Sequence, residues 1–409
     1  MGVIHCPAGV WQRTISTDAD LFLAIRAKAE RPPENHPPYR PLFTLNYISV
    51  TNACNIRCPM CGAAAVTDAG KAVFLERAEI MRRARQVKAD GGRYLVLFGG
   101  EPTLHPDLSE IVGELSAMGL YVIIITNGVR LGREPERIRE LKRRGLSKLT
   151  IQFDSLRSAT LKQLGRDFLP EKTTAINVAT AAGLSVGLVC MVTSLNAAEI
   201  GEVMDYAVES GHAVKTLIFA CAADVGRVEL DGTHPDREMV IRTIIAAGER
   251  HGLCADDILP LPICPPWGLQ AHPDCAVYAI LLRTPRGMIP LGRVLDMPQL
   301  HARLARCPQR NGFFYRHLVP GWHMLRSIRK GKGWMALRLL IGLIRGTRYS
   351  FLNIGIDNPG NAPFLDEERL ACCSSAFYTS QGPVKTCLHF CMDANFPGSK
   401  AYEETHGSC

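Results

Sequence analysis

Cys54-Asn55-Ile56-Arg57-Cys58-Pro59-Met60-Cys61 places three thiols within eight residues, directly after the apolar run Phe43-Thr44-Leu45-Asn46-Tyr47-Ile48-Ser49-Val50. Three thiolates from one short loop can ligate three corners of a [4Fe–4S] cube and leave the fourth iron without a protein ligand. An iron left open in this way can bind a reacting molecule as well as pass electrons. The competing readings are a structural zinc site and chance crowding of cysteine. Zinc takes four ligands, commonly as two Cys-x-x-Cys pairs, and no second pair lies nearby in the sequence.

Composition narrows the class. At 409 residues the chain suggests two or three domains, or one large α/β domain with an extension. A hydrophobic content of 47% and a charged content of 21% fit an ordinary globular protein. The net charge of +8 suits an anionic substrate, a membrane surface or simply a solvated exterior. Aromatics are 7% with no basic run interleaved among them, which argues against nucleic acid as a partner. The first residues, Met1-Gly2-Val3-Ile4-His5-Cys6, show no secretory pattern, and Cys6 stands where a myristoylation signal has Ser or Thr. The expectation is a cytoplasmic, reducing compartment, in which the 15 cysteines serve metal ligation more than disulfides.

Residues 1–41 read as an N-terminal appendage, with a short amphipathic helix over 18–30 and a proline-rich linker. From residue 42 strands and helices alternate. Strands are expected at 43–50, 93–98, 121–125, 148–153, 185–192 and 214–220. Helices are expected at 74–90, 106–118, 134–144, 171–182 and 197–210. The strands are near-continuous apolar runs, as parallel strands buried on both faces require. The fold class is therefore α/β: a partial parallel (β/α)6 TIM-like barrel over 42–222, with a Cys-rich C-terminal extension over 223–409. Polar candidates cluster just after the strands: the three cysteines, Gly99-Gly100-Glu101-Pro102, Thr126-Asn127, Asp154-Ser155 and Asn196. A parallel barrel keeps its active site at those ends. Each of Asp154, Ser155 and Asn196 can equally be a cap or turn residue. His105 can point into the mouth or close the turn before the next helix.

The cysteine spacing after a first strand, followed by Gly99-Gly100-Glu101-Pro102 after a second, resembles the radical SAM superfamily. The resemblance implies that Cys54, Cys58 and Cys61 hold a [4Fe–4S] cluster whose open iron chelates S-adenosylmethionine (SAM). It implies that the Gly-Gly-Glu-Pro turn contacts the methionine amino group. Polar residues after the later strands, here Asp154, Ser155 and Asn196, would meet the ribose and carboxylate. Where the family often has an aromatic residue beside the adenine, this chain has Met60, a polarizable side chain that can pack on a ring.

Beyond residue 221 the rhythm breaks. A helix is expected over 234–251, capped by Thr233. A proline-rich segment carries Cys264 and leads to His272-Pro273-Asp274-Cys275 and the apolar run 276–282. Residues 334–345 form a short apolar helix bearing Arg338 and Arg345, with Arg326, Arg329, Lys330, Lys332 and Arg348 on its flanks. It is too short to span a bilayer. It suits a membrane interface, a greasy cavity or a core position. The tail carries Cys372-Cys373, Cys387 and Cys391, near a hairpin with Gly382-Pro383 as its expected turn. With Cys264 and Cys275 these supply enough thiols for an auxiliary cluster, with structural zinc as the alternative. The order of elements is similar to the tetraether lipid synthase and class D methylase branch. In that branch a His-Pro-x-Cys element and a Phe-Cys-x-x-Asn element help hold auxiliary clusters. The second element here is one residue longer, Phe390-Cys391-Met392-Asp393-Ala394-Asn395.

The resemblance implies an enzyme that cleaves SAM reductively to a 5′-deoxyadenosyl radical. The radical removes hydrogen from an unactivated carbon, leading to C–C bond formation or C-methylation of a lipid-like or pterin-like substrate. Expected partners are an external one-electron reductase of flavodoxin or ferredoxin type, a small-molecule or lipid-like substrate, and a membrane surface met by the 334–345 helix. The alternatives are a SPASM-type peptide-modifying maturase and, from another class, a non-catalytic iron–sulfur or zinc protein. Gly99-Gly100-Glu101-Pro102 argues against the last, since an electron carrier needs no amine-binding turn.

Overall fold

The computed structural model describes residues 2–6, 9–13, 16–28, 43–223, 225–230, 234–260, 272–305, 319–347, 349–359, 369–370, 373–387 and 389. Six parallel strands follow the expected order: β1 (Leu45–Thr51), β2 (Tyr94–Gly99), β3 (Tyr121–Thr126), β4 (Lys148–Gln152), β5 (Ser185–Val192) and β6 (Val214–Cys221). Each pairs with the next in parallel. Helices Arg77–Ala89, Leu108–Ala117, Glu136–Arg143, Leu169–Ala181 and Ile200–Glu209 make the crossovers.

The chain beyond residue 222 continues this sheet. It contributes β7 (Ala276–Thr284), β8 (Gly287–Pro290), β9 (Ser350–Asp357), β10 (Ser375–Thr379) and β11 (Gly382–Lys385). Strand β9 lies parallel to β6, with Asn353 opposite Thr216 and Asp357 opposite Ala220. Strand β10 lies parallel to β1 at the other margin, with Phe377 opposite Tyr47. The parallel array thus extends by one strand on each side of the expected six. Strands β7 and β11 add antiparallel edges. The β10–β11 turn is Ser380-Gln381, because Thr379 pairs with Gly382; the expected Gly382-Pro383 turn lies inside the second strand.

Alternation sorts the side chains to two faces. Ile48 and Val50 of β1, Leu95 and Leu97 of β2, Leu188 of β5, Leu217 and Phe219 of β6, and Ile354 and Ile356 of β9 join one buried core with the helices. The intervening residues face the concave side. There Tyr47 and Phe377 stack with ring centroids 4.9 Å apart. Phe98 meets both rings edge-on. Gln152, Ile218, Gly355 and Asp357 on this side are only part-buried. The convex face is therefore packed by helices, and the concave face carries side chains that are only part-buried.

The C-terminal segments are tied to the body at several points. Helix Arg237–Gly248 is capped by the Asp236 carboxylate, which accepts from Met239 N at 2.9 Å; the expected cap, Thr233, lies outside the described residues. Buried Arg237 pairs with Glu238 and donates to the Pro273 carbonyl. Arg26, from helix Ala19–Ala27, lies 3.3 Å from Asp274. The His-Pro-Asp-Cys element is thereby held from two sides. It closes on itself through Cys275 N, which donates to His272 O at 2.8 Å.

If β9 is a core strand, Ile354→Ala, fully buried, will lower stability by about 2–5 kcal/mol. Phe351→Ala, which is 43% exposed on the same strand, will cost about 1 kcal/mol or less. Urea titrations of the two variants make the comparison.

Candidate active site

The cysteine loop leaves the end of β1 and is gripped by the end of β2. Gly100 N donates to Thr51 O and Glu101 N to Ala53 O, each at 2.7 Å. Gly99 has φ +134°, a conformation L side chains rarely adopt. A Cβ on either Gly99 or Gly100 would overlap the carbonyl oxygens of Thr51 and Ala53 respectively. Two consecutive glycines are what let these backbones touch. Glu101, 1% exposed, then locks the turn to β3. Its carboxylate accepts from Thr103 Oγ1 at 2.6 Å, Thr126 Oγ1 at 2.7 Å and Asn127 N at 2.7 Å. Burial raises its pKa, and these donors work against the rise.

The three thiols lie in an apolar pocket. Cys58 packs with Ile56 and Val129, and Cys54, Cys61 and Phe168 lie against that group. N–H donors are aimed at two of the sulfurs. Arg166 Nε lies 3.2 Å from Cys58 Sγ, and Asn127 Nδ2 lies 3.8 Å from Cys54 Sγ. Asn127 also donates to Asn55 Oδ1 at 2.7 Å, bracing the loop. Burial pushes the Cys54 thiol up to about 12, with Glu101 and the two other cysteines adding to the rise against a backbone N–H from Ile56. Thiolates crowded here call for a compensating cation. Among the described residues no three His, Cys, Asp or Glu side chains converge on one ion-sized point, whereas a cube takes each thiolate on a different iron. Soft sulfur donors, an apolar wall and N–H groups turned to the sulfurs fit an iron–sulfur cluster.

Arg166 is the residue that sequence reasoning missed. It is 3% exposed and joins four groups. Beyond Cys58 it reaches Asp154 Oδ1 at 2.9 Å and Met60 O at 3.2 Å. Gln152 Oε1, in the amide orientation that satisfies both side chains, accepts from it at 3.0 Å. Burial opposes its charge, but Asp154 and Cys58 outweigh that and hold its pKa above the ordinary arginine value. Its one local signal is Gly165, whose φ of +64° puts its backbone against the Arg57 carbonyl. Lys172, 1% exposed, was missed too, and its Nζ has no hydrogen-bond partner. Burial lowers its pKa, opposed by Asp154.

The remaining candidates divide by their contacts. Asp154 is fully buried; Oδ1 also accepts from Met191 N at 2.9 Å, and Oδ2 has no partner. Ser155 donates to Glu199 at 2.5 Å and accepts from Arg157 N. Asn196 donates to the carbonyls of Asp154 and Met191, each at 2.9 Å, and accepts from Thr193 N. Ser155 and Asn196 are thus engaged in holding the ends of β4 and β5. Met60 is 3% exposed within the loop. Pro102 opens a single 3-10 turn after Glu101. His105 closes the turn: Nε2 lies 2.9 Å from Leu75 O, and Nδ1 accepts from Asp107 N.

Among the late cysteines, Cys264, Cys372 and Cys391 lie outside the described residues. Cys373 and Cys387, at the two ends of the β10–β11 hairpin, come into electrostatic reach of the distant Cys275: Cys275 feels Cys387, and Cys373 feels Cys275. Burial raises the pKa of both Cys275 and Cys373. Arg369 lies beside Cys275, with Nε 3.2 Å from its Sγ, and within electrostatic reach of Cys387. The adjacent Leu370 carbonyl accepts from Cys373 N at 3.1 Å.

Residues 48–207 match the Radical SAM superfamily. This chain carries a radical SAM domain. Enzymes of the superfamily use a [4Fe–4S] cluster and SAM. The chain is 28% identical over 284 residues to the 7,8-dihydro-6-hydroxymethylpterin dimethyltransferase of Methanocaldococcus jannaschii, covering 64% of this chain and 56% of that one. It is 34% identical over 206 residues to the GTP 3′,8-cyclase of Stenotrophomonas maltophilia, covering 49% and 62%. It is 28% identical over 306 residues to the PqqA peptide cyclase of Streptomyces rochei, covering 70% and 78%. The chain therefore spans 56% and 62% of the lengths of the first two relatives. The radical SAM domain contains both the cysteine loop and the Gly-Gly-Glu-Pro turn.

Four substitutions probe the domain's architecture. Gly100→Ala, whose Cβ meets immovable backbone, will displace the cysteine loop and lower the iron retained after anaerobic reconstitution. Gly113→Ala, in a helix where the Cβ meets only Arg144 Cδ at 3.6 Å, will be neutral or stabilising by up to about 1 kcal/mol. Arg166→Met strands the buried Asp154 charge and will cost about 3–5 kcal/mol in urea unfolding. Adding Asp154→Asn will recover part of that loss.

Proposed function

We propose that this protein is a radical SAM enzyme. On this reading it acts on an unactivated carbon of a hydrophobic substrate, with C-methylation or C–C bond formation as the outcome. The observation that carries the reading is the apolar three-cysteine loop, with N–H donors at two of its sulfurs, clamped by Gly99 and Gly100 to the ends of a parallel sheet. Cys54, Cys58 and Cys61 would hold the cluster. When bound, a [4Fe–4S] cluster supplies the electron that splits SAM into methionine and a 5′-deoxyadenosyl radical.

The chain's own residues would do the rest. The Gly99–Pro102 turn, kept rigid by Glu101, Thr126 and Asn127, presents backbone to the methionine end. Asp154 Oδ2, buried and unpartnered, suits a hydroxyl of the ribose, while Ser155 and Asn196 keep the strand ends in place. Met60 would pack beside the adenine. Arg166 places a positive charge on Cys58 and stabilises electron-rich sulfur. On the concave face the aromatic wall of Tyr47, Phe98 and Phe377 would line the space in which a reactive radical meets its substrate. Cys275, Cys373 and Cys387, with Cys264, Cys372 and Cys391, would ligate an auxiliary cluster. The electron donor is an external reductase of flavodoxin or ferredoxin type. A lipid-like substrate and peripheral membrane contact follow from the greasy, basic helix Gly333–Ile344. A pterin-like substrate is the second reading, favoured by similarity to the pterin dimethyltransferase that extends well past the domain.

The protein, reconstituted anaerobically with iron and sulfide and given dithionite and SAM, will form 5′-deoxyadenosine. An iron-loaded sample that forms none refutes the reading. A Cys54/Cys58/Cys61→Ala variant will lose that activity yet retain iron and sulfide at the auxiliary site; complete loss of iron would remove the role given to the late cysteines.

A further inference from the structure

Residues 297–356 contain nine arginines and two lysines and not one Asp or Glu. That positive excess is larger than the net charge of +8 carried by the whole chain, so everything else sums to a negative balance. Helix Gly333–Ile344 lies in this acid-free stretch. At 100° per residue, Met335, Ala336 and Leu339 fall on one side, and they pack against a satellite core around Tyr278, Val294 and Leu300. The opposite side is also apolar. Trp334 is 67% exposed, Leu337 43%, Leu340 49% and Ile344 77%. Arg338 and Arg345 flank that outer stripe, both exposed. The preceding helix, Val319–Arg326, adds Trp322 and Leu325, 59% and 61% exposed. Arg326, Arg329, Lys330 and Lys332, all exposed, lie along the connection.

A helix greasy on both sides is normally buried on both sides. Among the described residues this one is covered on one side only, and large exposed apolar patches mark an interaction surface. Its 12 residues span about 18 Å, and no helix among the described residues is long and apolar enough to cross a membrane. Charge decides the occupant. Six exposed cations with no acid among them repel a second copy of the same face. A plane of anionic headgroups attracts them, while Trp and Leu sink to the acyl boundary. Trp is the side chain that favours that boundary. We propose that these two helices dock in plane on an anionic lipid bilayer.

The location gives the docking a use. Tyr278 and Ile280 touch this satellite core from the side of β7 opposite Val277, Ala279 and Leu281, which face the main core. In register, Tyr278 lies opposite Gly355 and Ile280 opposite Asn353. The platform therefore sits on the sheet's concave side, the side that carries Gly355 and Asp357. A bilayer held there lies on the face of the sheet away from the crossover helices. The surface argument stands on exposure and charge and does not depend on the radical chemistry.

Vesicle sedimentation of the full chain tests it. The protein will pellet with equimolar phosphatidylglycerol–phosphatidylcholine vesicles, and will be released by salt. It will not pellet with phosphatidylcholine alone. Arg338→Gln with Arg345→Gln will weaken partitioning about 30-fold, at roughly fivefold per arginine. Trp334→Ser with Ile344→Ser will also weaken it, leaving circular dichroism and iron content unchanged. Three results overturn the proposal: no pelleting with either vesicle, equal pelleting with both, or a vesicle-free dimer that Trp334→Ser with Ile344→Ser dissolves. SAM cleavage enters none of these readouts.

Discussion

Two backbone hydrogen bonds, Gly100 N to Thr51 O and Glu101 N to Ala53 O, join the two motifs on which this protein depends. They are short, they involve no side chain, and they demand glycine on one partner. Everything nearby is arranged around them. Glu101 is buried because its turn is pinned there, and Thr126 and Asn127 are drawn in to satisfy its carboxylate. Asn127 then reaches the cysteine loop. The loop and the turn form one rigid object, although 37 residues, 62–98, separate them in the chain.

On the other flank the same loop is held by charge. Arg166 links Cys58, the Met60 carbonyl and Asp154, and Asp154 also ties down β5 through Met191 N. A buried ion pair is weak evidence of stability but strong evidence of a fixed arrangement, because neither partner can leave without stranding the other. The loop is thus fixed by neutral backbone contacts on one side and by a buried cation on the other. The cation is the side on which electron-rich sulfur gains most.

Much of this was legible in the chain. The six strands announce themselves as apolar runs, and the spacing of Cys54, Cys58 and Cys61 before Gly99-Gly100-Glu101-Pro102 carries the site. The lateral strands were not. Ser350–Asp357 alternates cleanly enough to read as a strand, but nothing local tells that it lies parallel to β6, more than 130 residues earlier. Arg166 was invisible for the same reason. It follows a helix in a polar stretch, and only folding brings it to Cys58, 108 residues away. Asp154, Ser155 and Asn196 could be placed at strand ends from sequence. Their hydrogen bonds were needed to separate the one with a spare oxygen from the two engaged in the turns.

The acid-free stretch also separates charge along the chain. Six of its cations lie exposed on and beside the two helices, while the sequence outside 297–356 carries a net negative balance. In the field of an anionic plane a body so charged would experience a torque before it touches anything, and that torque would turn the two helices toward the plane. Orientation gained during approach raises the fraction of encounters that are productive, an effect on rate more than on affinity. It operates over about one screening length, about 8 Å at physiological ionic strength.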